Sequence, residues 1–79
     1  MTAKAFVLIE TAVGKTRDVV LALQGMPGVK NVDAVTGPYD VIAVVEGSDL
    51  TAVGDLVTKE IHIVPGIIRT VTCLAITVT

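Results

Sequence analysis

An α+β sandwich in the order β-α-β-β-α-β is the fold class this sequence predicts, and three observations predict it. The chain repeats itself at half its length. A shift of 38 residues places Phe6-Val7 on Val44-Val45, Val19 on Val57, Leu23 on Ile61 and Pro27-Gly28-Val29 on Pro65-Gly66-Ile67. Each half runs from a β-type segment through a stretch at helical spacing to a second β-type segment. The first and third strands are apolar on both alternating faces, whereas the second is polar enough for an edge.

Taken in order, Ala3 to Glu10 is a strand with Ala5, Val7 and Ile9 on one face and Phe6 and Leu8 on the other, so it needs cover on both sides. Gly14-Lys15-Thr16 opens a helix to about Gln24, with Thr16 in capping position, Val19, Val20 and Leu23 at helical spacing and Gly25 at the stop. Val29 to Thr36 is the second strand, made polar by Lys30, Asn31 and Asp33. Tyr39 to Glu46 is again doubly apolar and therefore central. Ser48 and Asp49 cap a helix whose inward set is Leu50, Val53, Leu56, Val57 and Ile61, stopped before Pro65-Gly66. Ile67 to Val78 is the last strand. Two halves of this kind give a ferredoxin-like sandwich: an antiparallel four-stranded sheet with strands one and three central and both helices on one face. The other face keeps an apolar set with no cover of its own, the signature of a sheet-to-sheet homodimer.

Composition bounds the function. At 79 residues the chain reads as one domain, 1–79, and a monomer of that size buries only roughly 60% of its unfolded surface. Hydrophobic residues reach 52% with a mean hydropathy of +0.78, yet aromatics are 3% and Trp is absent. No apolar run approaches the ~18 residues of a membrane span, and the start lacks a signal-peptide pattern. A soluble cytoplasmic protein is expected, and the single Cys73 fits a reducing compartment. A net charge of −2 and six scattered basic residues leave no stripe for nucleic acid.

Several motifs carry less chemistry than they suggest. Val13-Gly14-Lys15-Thr16 imitates the end of a phosphate-binding loop, but the required first glycine falls on Ile9, so it reads as a helix start. His62 is the only histidine and sits at the end of the second helix, where the helix dipole favours it; alone it makes no metal site. Cys73 reads as a small packed side chain on the last strand. No carboxylate pair stands out for acid-base work, so neither catalysis, a metal nor a cofactor is expected.

The hairpin Thr36-Gly37-Pro38-Tyr39-Asp40 differs. Gly37 and Pro38 make the turn, while Tyr39 and Asp40 place an apolar wall beside a carboxylate at a loop tip. Asp40 can bond the turn's own amides, or it can accept from an ammonium. Thr70 and Thr72, two apart on the last strand, share a face and can donate to a carboxylate. Together these groups suit a zwitterionic amino acid.

The order Pro27-Gly28-Val29, Val35-Thr36-Gly37-Pro38-Tyr39-Asp40, Val64-Pro65-Gly66-Ile67 and Arg69-Thr70-Val71-Thr72 resembles the effector-binding domain of the Lrp/AsnC transcription regulators over nearly the whole chain. The resemblance implies the same βαββαβ fold, dimers formed through the sheet, a larger ring such as an octamer, and an amino acid effector bound between dimers. By similarity, the ligand-binding positions are Gly37, Tyr39, Asp40, Thr70 and Thr72. Regulators of the family carry a helix-turn-helix reader ahead of this domain, and a first strand at Ala3 leaves it no room. A stand-alone RAM domain is therefore expected, one that binds no operator DNA itself and takes a full-length regulator as a further partner. Its rivals are a small cofactor-free monooxygenase-type enzyme of the same fold and a purely structural assembly module.

Overall fold

The computed structural model describes residues 2–76. Strand β1 (Ala3–Thr11) is followed by helix α1 (Thr16–Gln24), β2 (Val29–Ala34), β3 (Val41–Gly47), α2 (Leu50–Asp55) and β4 (Ile67–Leu74). From Leu56 to Ile61 the second helix continues as a π-helical segment. The sheet is antiparallel in the order β2-β3-β1-β4, so the first and third strands are central, as the polarity of the sequence predicts.

The register sorts every strand residue onto one of two faces. Rows Ala34-Val41-Ile9-Thr70 and Val32-Ala43-Val7-Thr72 run across the helix-bearing face, and rows Asn31-Val44-Phe6-Cys73 and Asp33-Ile42-Leu8-Val71 across the other. On the helix-bearing face the central residues Ala5, Val7, Ile9, Val41, Ala43 and Val45 have no solvent exposure. They close against Val19 and Leu23 of α1 and against Val53, Val57, Ile61 and Val64 of the second helix and its exit. Full burial of a side chain the size of Ile9, Leu23 or Ile61 is worth about 1.5–3 kcal/mol, and these three are the largest that are fully buried. The repeat is thus a packing repeat: Val19 with Val57 and Leu23 with Ile61 occupy matching places in one core.

Both Pro-Gly steps form the same turn. Val29 donates to the Met26 carbonyl at 3.1 Å and Ile67 to the Val64 carbonyl at 3.3 Å, with Gly28 and Gly66 at φ 90° and 99°. Proline first and a positive-φ glycine second is what a type II turn requires. At Gly66 a side chain is also sterically barred, because a Cβ there would lie 2.8 Å from that of Lys15 at the start of α1. The turn therefore pins β4 against the first helix.

Several expectations need correction. Thr16 does not cap α1; the capping position is Lys15, which makes no side-chain cap bond. Asp49 does cap α2, accepting from the Ala52 amide at 2.8 Å. Leu50 is 60% exposed rather than inward, since it occupies the first helical position and the buried stripe begins one turn later at Val53. Strands β2 and β3 end at Ala34 and begin at Val41, because Val35 to Asp40 are taken up by the turn and only Val35 donates back, to the Asp40 carbonyl at 2.9 Å. The last strand stops at Leu74, and the expected end at Val78 lies outside the described residues. Among the described residues, no helix is long and apolar enough to cross a membrane.

The second sheet face carries Phe6, Leu8, Ile42, Val44 and Val71, and among the described residues no element lies over it. Phe6 and Val71 are 38% and 37% exposed, and Lys4 reaches over the Phe6 ring at 5.3 Å from its centroid. Cys73 lies in the Phe6 row and is exposed, so it is not the packed side chain expected from its strand position.

Candidate functional site

The segments singled out in the sequence meet where β1 ends. Asp40 leads into β3 and donates its amide to the Ile9 carbonyl at 2.9 Å. Its Oδ2 accepts the Thr11 amide at 2.8 Å, so the side chain continues the β1-β3 ladder one step beyond the last backbone pair. The amide of Ala12, next along the chain, is taken by the Gly66 carbonyl at 2.8 Å, which brings in the second Pro-Gly turn. Thr11 is buried at 8% exposure, and its hydroxyl shares a 2.8 Å hydrogen bond with that of Thr16 at the start of α1. The end of β1 thus ties together the hairpin, the first helix and the entry to β4.

Asp40 is half-buried, and its second oxygen accepts no hydrogen bond among the described residues. One oxygen holds the fold and the other is left unbonded among the described residues. The amide it satisfies belongs to β1 and not to the turn itself. Gly37 is exposed at φ 138°, with open space where a side chain would stand, so its demand is purely backbone. Tyr39 is half-buried beside Asp40, and its hydroxyl bonds nothing among the described residues.

Thr70 and Thr72 do share a face, and it is the helix-bearing one: they stand opposite Ile9 and Val7. Thr72 is exposed, and Thr70 is half-buried. The Thr70 hydroxyl lies 2.6 Å from His62 Nε2, a contact that sequence reasoning missed because it saw His62 only as a helix end. Thr11 was missed too, since a threonine at the end of a strand has no motif to mark it.

Asp40 and Thr70 approach β1 from opposite sides. Their strands are separated by two inter-strand spacings, about 9.5 Å. Because Asp40 reaches across to the Thr11 amide, its carboxylate lies against β1, between the strand that carries it and the strand that carries Thr70. At the same end, Arg69 pairs with Glu10 at 3.1 Å on the open face. The Val13-Gly14-Lys15-Thr16 loop folds back on itself, with the Lys15 amide taken by the Ala12 carbonyl at 3.0 Å, and forms no phosphate cradle. Among the described residues no group of three His, Cys, Asp or Glu side chains is placed to hold a metal ion.

The profile of the Lrp/AsnC ligand binding domain matches residues 4–78. Among solved structures, the hypothetical protein PHS023 from Pyrococcus horikoshii is 40% identical with a TM-score of 0.88, the match covering 98% of this chain and 92% of that one. The protein TTHA0845 from Thermus thermophilus is 36% identical with a TM-score of 0.91, covering 98% and 96%. The transcriptional regulator NMB0573 from Neisseria meningitidis, solved as an L-Met complex, shares the fold at a TM-score of 0.85 and 17% identity; the match covers 95% of this chain and 50% of that one. No curated protein gives a significant match. With its strand order, its paired Pro-Gly turns and a profile match over nearly its whole length, the chain belongs to the Lrp/AsnC family as a ligand-binding domain.

Proposed function

We propose that this chain is an amino-acid sensor and assembly domain: it binds a small amino acid between copies of itself, at the end of the sheet where β1 finishes. Binding then alters how those copies associate. The observation that carries this reading is the half-used carboxylate of Asp40, fixed by the Thr11 amide through one oxygen and open through the other. The free oxygen suits an ammonium, and hydroxyls at Thr70 and Thr72 suit a carboxylate. In this reading the site lies between copies, and a neighbouring copy closes it over the ligand. The Neisseria regulator's L-Met complex supports an amino acid as the ligand class.

The open sheet face supports the same reading from the packing side. Phe6, Leu8, Ile42, Val44 and Val71 form an apolar patch with polar edges, and a second sheet is the cover that matches its shape. A sheet-to-sheet dimer leaves the β1 ends outward, available to a further dimer. A full-length regulator with this same domain is a second partner for either face. The role is regulatory, not catalytic, as the family's is.

A thermal-shift screen of the twenty amino acids with native mass spectrometry tests this reading. A ligand that binds only the folded form raises its stability once its concentration passes the dissociation constant, and one that prefers a particular assembly shifts the oligomer distribution. Stabilisation by at least one amino acid with a change in assembly supports a sensor. No stabilisation with unchanged oligomers favours a structural module, and turnover of a bound compound favours an enzyme.

A further inference from the structure

The second helix does not end as the first one does. From Leu56 to Ile61 it runs as a π-helix, and the His62 amide donates to the Val57 carbonyl, five residues back, at 2.9 Å. Such segments are rare and concentrate at functional sites. In an i→i+5 turn the fifth residue stacks where the fourth would stand in an α-turn. His62 is thereby carried round toward the side occupied by Val57, which is buried against the sheet. The displaced ring reaches over β4 and meets Thr70, with Nε2 at 2.6 Å from the hydroxyl.

This contact decides what Thr70 can offer. If the hydroxyl donates to an unprotonated Nε2, its hydrogen is spent and only lone pairs face outward. If Nε2 carries the hydrogen and donates, the hydroxyl's own hydrogen is turned outward, ready for an acceptor. Thr70 is half-buried beside the exposed His62, and its neighbour Thr72 on the same face is exposed, so that hydrogen can turn toward solvent.

We propose that His62 is a positioning residue of the effector site: held by the π-turn, it donates from Nε2 to Thr70 and aims the Thr70 hydroxyl at the effector's carboxylate. This inference rests on the amino-acid reading above. It assigns the carboxylate end of the ligand to a His62-Thr70 pair, leaving the ammonium end to Asp40. Arg69, next to Thr70 in sequence, faces the other side of the sheet and pairs there with Glu10 at 3.1 Å.

Calorimetry with two probes separates the possibilities: L-methionine, and L-methioninol, which keeps the ammonium and side chain but lacks the carboxylate. His62→Leu should weaken L-methionine by roughly tenfold or more, the scale of a hydrogen bond to a charged group, and change L-methioninol by less than about twofold. His62→Gln, which keeps an N–H donor, should restore most of the L-methionine affinity. Nitrogen-detected NMR of the parent should show the Nε2-protonated imidazole when L-methionine is bound. Equal loss for both probes, or none for L-methionine, overturns the role of His62 while leaving the sensor reading intact. Parent protein that binds neither L-methionine nor any other amino acid overturns the sensor reading itself, and this inference with it.

Discussion

Asp40 has two jobs on two oxygens, and substitution can separate them. Asp40→Ala removes the acceptor for the Thr11 amide, a 2.8 Å bond at a residue only 8% exposed. A hydrogen bond to a charged group contributes about 1.5–3 kcal/mol, and stranding a buried amide costs a similar amount, so the loss should fall near 1.5–3 kcal/mol. For a domain of this size that corresponds to a fall in Tm of roughly 6–24 °C. Asp40→Asn keeps a side-chain oxygen for Thr11 and removes only the charge, so its Tm should stay within about 3 °C of the parent. The assay is thermal unfolding at one fixed protein concentration, because assembly makes Tm concentration-dependent. The ladder-capping role is refuted if Asp40→Ala melts with the parent, or if Asn is as damaging as Ala.

Other consequences follow from the same geometry. Leu8→Lys or Val44→Glu on the open sheet face should dissociate or unfold the chain at low micromolar concentration, since an unpaired charge buried in an interface costs several kcal/mol; a parent that sediments as a stable folded monomer would contradict this. Gly66→Ala should destabilise more than Gly37→Ala, because both have positive φ but only at Gly66 would the new Cβ meet a neighbour, 2.8 Å from Lys15; equal chemical-denaturation midpoints would remove the argument. The 79-residue chain tested alone should show no sequence-specific DNA binding at physiological salt, given its net charge of −2 and scattered basic residues; a specific mobility shift of operator DNA would overturn that.

The strand order and both helices were legible because each depends on periodicity: doubly apolar β1 and β3 must be central, and the matched Val19/Val57 and Leu23/Ile61 pairs mark two equivalent helices. The Pro-Gly turns were legible for a similar reason, as proline and a positive-φ glycine leave few conformations open. The π-segment was not, since Val53, Val57 and Ile61 recur at intervals of four and suit an α-helix equally well. What distinguishes it is its i→i+5 backbone bonding, which ends in the bond from His62 to Val57. The candidate site was half legible. The sequence marks Asp40 and the threonine pair, but the bond from Asp40 to Thr11 spans 29 residues and depends on how β1 and β3 register. The exposure of Cys73 likewise follows from its row in the sheet, which local sequence does not report.

The central claim is that an amino acid binds at the end of β1 through the free oxygen of Asp40. Titration calorimetry of the amino acid that most stabilises the parent, repeated on Asp40→Asn, tests it most directly. The account predicts saturable binding to the parent and a loss of about 1.5–3 kcal/mol in the variant, whose fold and Thr11 bond are preserved. Unchanged affinity in Asp40→Asn would contradict it.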